Sequence, residues 1–175
     1  SKQRPPQVGL YVSDRTVLVN GISTRDLNGL LQMLVDLNVD FQIFSEHNLE
    51  QLEGYPVVMV ASCSRCANDE IADRFREYVA GGGRLIMFDG AFAGDWFNRD
   101  VGNPGFGFDE VIGSAERSRA PQTAAVTLGS DTLPGLPAAA PASGTVSCRA
   151  PAAGCEVIGT MPTGEAVVTL HRYGQ

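Results

Sequence analysis

One stretch limits what this chain can fold into more than any other. Pro56-Val57-Val58-Met59-Val60-Ala61 is apolar and rich in β-branched residues, with no polar alternation. That is the pattern of a strand buried on both faces, as strands of parallel sheets are. Asn68 then offers a helix cap, and Asp69 and Glu70 suit the positive end of a helix. Ile71, Phe75, Tyr78 and Val79 follow at helical spacing, and Gly81-Gly82-Gly83 stops the helix. Arg84-Leu85-Ile86-Met87-Phe88 is the next strand, ended by Asp89-Gly90. A strand, a helix and a strand joined by short links call for parallel pairing through a crossover.

The preceding segment repeats the arrangement. Val8-Gly9-Leu10-Tyr11-Val12 reads as a buried strand, followed by a polar loop. Leu27, Leu30, Leu31, Leu34 and Val35 recur at helical spacing, with Thr24 as the expected cap and Asp26 in the first turn. The helix should end near Asn38, a residue that tolerates the left-handed conformation. Val39 to Phe44 alternates and reads as a strand, and Phe108 to Ile112 as a short helix. The expected fold is α/β, a flavodoxin-like parallel sheet with helices on both faces.

Composition changes after Gly113. There are 16 acidic and 9 basic residues up to that point and 4 of each beyond it, where Ala, Pro, Gly, Thr and Val dominate. Four β-like runs are expected there: Thr123 to Leu128, Thr145 to Arg149, Glu156 to Thr160 and Ala166 to Leu170. The chain is read as a single domain over 1–175, with an α/β core at 8–113 and a β-rich completion at 114–175. Its 175 residues, 43% hydrophobic and 19% charged, have globular composition. A net charge of −7 argues against nucleic-acid and anionic-membrane partners. No run approaches the roughly 20 apolar residues of a membrane span. Ser1-Lys2-Gln3-Arg4-Pro5-Pro6 carries no leader pattern, so the expectation leans to the cytoplasm.

Four cysteines fall in two pairs. Cys63-Ser64-Arg65-Cys66 lies after a strand and before a helix, where a redox pair, two zinc ligands or two ordinary loop thiols would all fit. Cys148 and Cys155 flank a turn-like segment and would form a disulfide if they faced each other across a hairpin. Asp89, Phe92, Asp95, Trp96 and Phe97 follow the fourth strand, at the edge where ligands bind in open α/β sheets. They are candidates for an interface or a sugar-binding loop. Gly102-Asn103-Pro104-Gly105-Phe106-Gly107 lacks the Lys and the long following helix of a phosphate loop.

Leu52-Glu53-Gly54-Tyr55-Pro56-Val57-Val58-Met59-Val60, then Asn68-Asp69-Glu70-Ile71, then Tyr78-Val79-Ala80-Gly81-Gly82-Gly83-Arg84-Leu85-Ile86 carry a family likeness. They resemble the glutamine-amidotransferase-like domain that serves as the trimerisation domain of family-42 beta-galactosidases. Phe108-Asp109-Glu110-Val111-Ile112-Gly113 and Gly164 to Gly174 fit the same pattern in the same order. The resemblance implies a module of a longer protein, with other domains or subunits of that parent as partners and a homo-oligomer in the full-length context. The family's catalytic barrel is not part of this sequence, and a continuation beyond Gln175 is expected.

Active amidotransferases of this kind place a Cys on a strand-to-helix elbow, G-x-C-x-G, beside backbone N–H donors. The elbow is expected at Phe88-Asp89-Gly90-Ala91-Phe92, which holds no Cys, Ser or Thr. His47 and His171 lack the local signature of a triad base. The sequence therefore reads as a non-catalytic accessory module with no cofactor. A hydrolase or amidotransferase using Cys63 or a carboxylate, and a carbohydrate-binding module, are the alternatives.

Overall fold

The computed structural model describes residues 6–20, 24–122, 125–141 and 144–174, which form two compact units meeting in sequence at Phe106 and Gly107. The first contains β1 (Val8–Tyr11), α1 (Asp14–Asn20), α2 (Thr24–Asp36), β2 (Phe41–Phe44), 3₁₀ turns over Glu46–Gly54, β3 (Val57–Val60), α3 (Asp69–Ala80) and β4 (Arg84–Met87). Its sheet has the order β2-β1-β3-β4, and every neighbouring pair is parallel. The register places Tyr11 beside both Phe44 and Val60, and Val60 beside Met87.

All four residues of β1 are buried, so its two faces meet two different cores. Leu10 and Val12 pack with Leu30 and Leu34 of α2 and with Ala61. Tyr11 points the other way, its ring 5.2 Å from Phe75 of α3, 5.5 Å from Phe44 and 6.1 Å from Phe92, all edge-on. Helices therefore cover both faces.

The caps work largely as expected. Asn68 accepts the Ile71 N–H at 2.9 Å, and Asn38 takes φ 52° after α2. Gly83 has a second role: a Cβ there would sit 2.3 Å from the Tyr78 ring. That ring lies flat over the backbone and its hydroxyl donates toward the Tyr55 and Arg84 carbonyls, at 3.0 and 3.3 Å. The end of α3 is thus tied to the start of β3 and β4.

The expected polar loop after β1 is instead the helix α1. Ser13 caps it by accepting the Thr16 N–H at 3.1 Å, and Thr16 turns inward. The side chain of Thr24 and residue Thr123 lie outside the described residues.

The second unit holds α4 (Asp109–Ile112), β5 (Ser114–Gln122), β6 (Val126–Leu128), β7 (Ala139–Ala140), β8 (Gly144–Pro151), β9 (Glu156–Thr160) and β10 (Ala166–Leu170). They form one sheet in the order β5-β8-β10-β9-β6-β7, antiparallel at every pairing. Two strands were not expected. Ser114–Gln122 has no apolar alternation; it is an edge strand held by its ladder to β8, from Ser114 opposite Pro151 to Gln122 opposite Gly144. Ala139–Ala140 is too short to carry a pattern. Among the described residues no helix is long and apolar enough to cross a membrane.

Candidate functional site

Ligands of open parallel sheets meet the carboxyl ends of the strands. Three connections converge on that edge: the turn from β1 into α1, the loop from β3 into α3, and the long loop after β4. The first two are stitched by buried hydroxyls. Ser64 Oγ donates to the Tyr11 carbonyl at 3.0 Å and accepts the Ser13 N–H at 3.1 Å. Thr16 Oγ1 accepts the Cys66 N–H at 2.8 Å.

The first amides of α1 are occupied as well. The Glu46 carboxylate accepts the N–H of Asp14 at 3.0 Å and of Arg15 at 2.6 Å, and the Tyr11 hydroxyl at 3.4 Å. Burial, and secondarily the Glu46 charge, push the Tyr11 phenol far above its ordinary pKa, so it remains a neutral donor. Glu46 attracted no attention in the sequence, because it belongs to a stretch with no helical or strand periodicity.

The loop after β4 contains Gly90-Ala91-Phe92-Ala93-Gly94, which has the glycine spacing of G-x-C-x-G with Phe at its centre. Phe92 takes φ 57°, in the left-handed region, and is fully buried against Tyr11 and Phe75. The amides along this loop are already used. Phe92 N–H donates to the Ser64 carbonyl at 3.0 Å, Ala93 to Gly90 at 3.3 Å and Gly94 to Arg65 at 3.0 Å. The amides of Phe92, Ala93 and Gly94 are thus committed to carbonyls of this loop and of the loop after β3. Phe92 is a core residue and drops out of the candidate contact surface.

Cys63 joins the core packed under α2, and Cys66 is fully buried. Among the described residues no three His, Cys, Asp or Glu side chains gather as metal ligands. The Cys148–Cys155 hairpin disulfide is corrected by the strand order. β10 lies between β8 and β9, so the strands that carry or adjoin these cysteines are not neighbours. Cys148 Sγ lies 3.8 Å from Met161 Sδ, and Cys155 Sγ lies 3.4 Å from the Leu170 carbonyl. Burial raises the Cys155 pKa.

The remaining candidates divide. Asp89 is exposed and accepts from Asn103 Nδ2 at 2.7 Å, while Asn103 Oδ1 receives the Gly90 N–H at 3.2 Å. This fastens one turn. Asp95 organises the next: it accepts the N–H groups of Phe97 and Arg99, both at 2.9 Å, and Arg99 Nε at 2.7 Å. The Arg99 hydrogen bond leads in holding the Asp95 carboxyl below its ordinary range. Trp96 is half-buried and Phe97 is 68% exposed. Arg15, from α1, places its guanidinium carbon 5.3 Å from the Trp96 ring centre and 5.9 Å from that of Phe97; Arg99 stands 5.5 Å from Phe97. Asp95, Trp96 and Phe97 are therefore one cluster, joined by two arginines that sequence reading missed.

His47 lies 3.8 Å from Asp14, and His171 Nδ1 lies 3.1 Å from the Val111 carbonyl. An open cleft of about 690 Å³, lined by Leu52, Tyr55, Arg74, Tyr78 and the glycines 81–83, lies at the opposite, amino ends of β3 and β4.

No family model matches this sequence, and no curated protein does. Solved structures do match. The beta-galactosidase from Bacillus circulans sp. alkalophilus aligns with a TM-score of 0.80 and 16% identity, over 97% of this chain and 27% of that one. That of Rahnella sp. R3 gives 0.79 and 17%, over 97% and 27%. A catalytic mutant of Gan42B, a GH42 beta-galactosidase from G. stearothermophilus, gives 0.76 and 13%, over 98% and 26%. At this identity the likeness is one of fold: the chain has the fold of a segment of GH42 beta-galactosidases. It spans about a quarter of the length of those enzymes.

Proposed function

We propose that this chain is a non-catalytic interaction module of a multidomain protein of the glycoside-hydrolase kind, acting in carbohydrate metabolism. In this reading it is a flavodoxin-like, glutamine-amidotransferase-like domain over its whole length, and it holds domains or subunits together. The observation that carries the reading is Phe92. At the elbow centre stands a buried phenyl ring in place of a nucleophile, and the adjacent amides are spent on Ser64, Gly90 and Arg65. The cluster around Trp96 is the proposed contact surface, because Trp and Arg are the residues most enriched at the energetic centres of interfaces.

Two measurements test this. The purified chain should turn over neither glutamine nor an aryl galactoside; glutaminase activity that disappears in Cys63→Ala overturns the non-catalytic half. Deleting this segment from the full-length parent should reduce its assembly state in analytical ultracentrifugation. An unchanged assembly overturns the other half.

A further inference from the structure

We propose that Arg15 is a receptor for the carboxylate of an Asp or Glu side chain on a partner polypeptide, with Phe97 taking the apolar residue beside that acid. This rests on the reading of the chain as an interaction module and names the chemistry of its partner. Arg65, Arg74, Arg76, Arg99 and Arg119 each face an Asp or Glu. Arg15 faces none among the described residues. Its Nε is spent on the Trp96 carbonyl at 2.8 Å, its backbone N–H on Glu46 at 2.6 Å, and its plane is steadied by two aromatic rings. Asp95, the nearest acid on the loop, is engaged by Arg99 and two amides. What remains is a fixed guanidinium whose two terminal nitrogens match the bidentate geometry of a carboxylate. Because the fork is already held, little side-chain freedom is lost when it binds.

The shape of the site selects a protein over a small molecule. Small-molecule sites are concave, and the 690 Å³ cleft includes none of these residues. Here a 68% exposed phenyl ring stands beside the cation. Locally the Arg15 guanidinium attracts a carboxylate and repels a cationic side chain, while the net charge of −7 opposes a broadly acidic partner, so the contact is a single acid flanked by apolar residues.

Trp96 is the sole tryptophan of the chain, so its fluorescence reports this cluster directly. A random peptide library panned on the 175-residue protein should yield binders with Asp or Glu next to Leu or an aromatic residue. These should change Trp96 emission. Exchanging the peptide's acid for its amide should weaken binding roughly 10-fold or more, the scale of a lost charge-assisted pair. Arg15→Lys should weaken it as well, and Arg15→Ala and Phe97→Ala should remove it. Binders without acid enrichment, binders that hold Arg15→Ala as tightly as wild type, or no binders at all overturn the proposal. Quenching by inorganic phosphate with no peptide selected overturns it too, in favour of a free-anion site. If Arg15→Ala leaves the parent's assembly intact while deleting the segment disrupts it, this proposal fails alone; if deletion has no effect, the module reading fails with it.

Discussion

The Phe92 amide donates to the Ser64 carbonyl at 3.0 Å, joining the loop after β4 to the loop after β3. Ser64 reaches on to Tyr11 and Ser13 through its hydroxyl. One residue therefore ties together three connections at the carboxyl edge of the sheet.

Replacing Phe92 tests whether this closure is structural. Phe92→Ala removes a fully buried ring from the Tyr11–Phe75 cluster and should cost about 3–5 kcal/mol in urea unfolding. Phe92→Cys places a thiol between Gly90 and Gly94 but leaves the neighbouring amides occupied, so it should show no glutaminase activity. Measurable turnover by that variant would mean the amides are free to rearrange.

Glu46 should matter out of proportion to its surface position. Glu46→Ala leaves two amides and the buried Tyr11 hydroxyl without their acceptor, and should cost about 1–3 kcal/mol. Glu46→Gln keeps one acceptor oxygen and should cost less. Hydrogen exchange at Asp14 and Arg15 should accelerate in the Ala variant; unchanged exchange would show that these amides are protected by other means.

The Asp95 turn should loosen in acid. Its carboxyl pKa is depressed in the folded state, first by the Arg99 side chain. Its contribution is therefore complete above the unfolded value, about 3.9, and is lost as pH falls through the lower folded value. Trp96 emission should change in that window, below pH ~4, and Asp95→Asn should abolish the transition. A transition that survives in Asp95→Asn would assign it to another carboxylate.

Thiol accessibility separates the four cysteines. Cys63, Cys66 and Cys148 are buried and should react with a disulfide reagent only on unfolding. Cys155 is half-buried and should react first, slowly at neutral pH because its pKa is raised. Rapid native labelling of Cys63 or Cys66 would restore the redox reading of that pair.

What could be read from the chain alone follows from where its information lies. β3, α3 and β4 were legible because a β-branched run, a capped amphipathic stripe and a glycine stop are all local signals. β9 and β10 were legible at their observed bounds, Glu156–Thr160 and Ala166–Leu170. α1 was not, since its apolar residues Val17, Leu18 and Val19 are consecutive and form no helical stripe, and the partners of its first turn, Glu46 and Ser64, are far along the chain. β5 was not, because an edge strand owes its form to its neighbour's ladder. The Trp96 loop was flagged, but Arg15 was invisible: its hydrogen bond to Trp96 spans 81 residues, and nothing local to Arg15 announces it.

The position of β10 has a consequence for synthesis. It pairs with β8 on one side and β9 on the other, and among the described residues no other strand joins the β5–β8 half of that sheet to the β9–β6–β7 half. As the chain leaves the ribosome, the two halves emerge first and wait side by side without a common ladder. The strand that unites them, Ala166–Leu170, is the last to appear. The second unit therefore closes only after nearly all of its residues have been made, whereas the parallel sheet of the first is complete in sequence once Met87 has emerged.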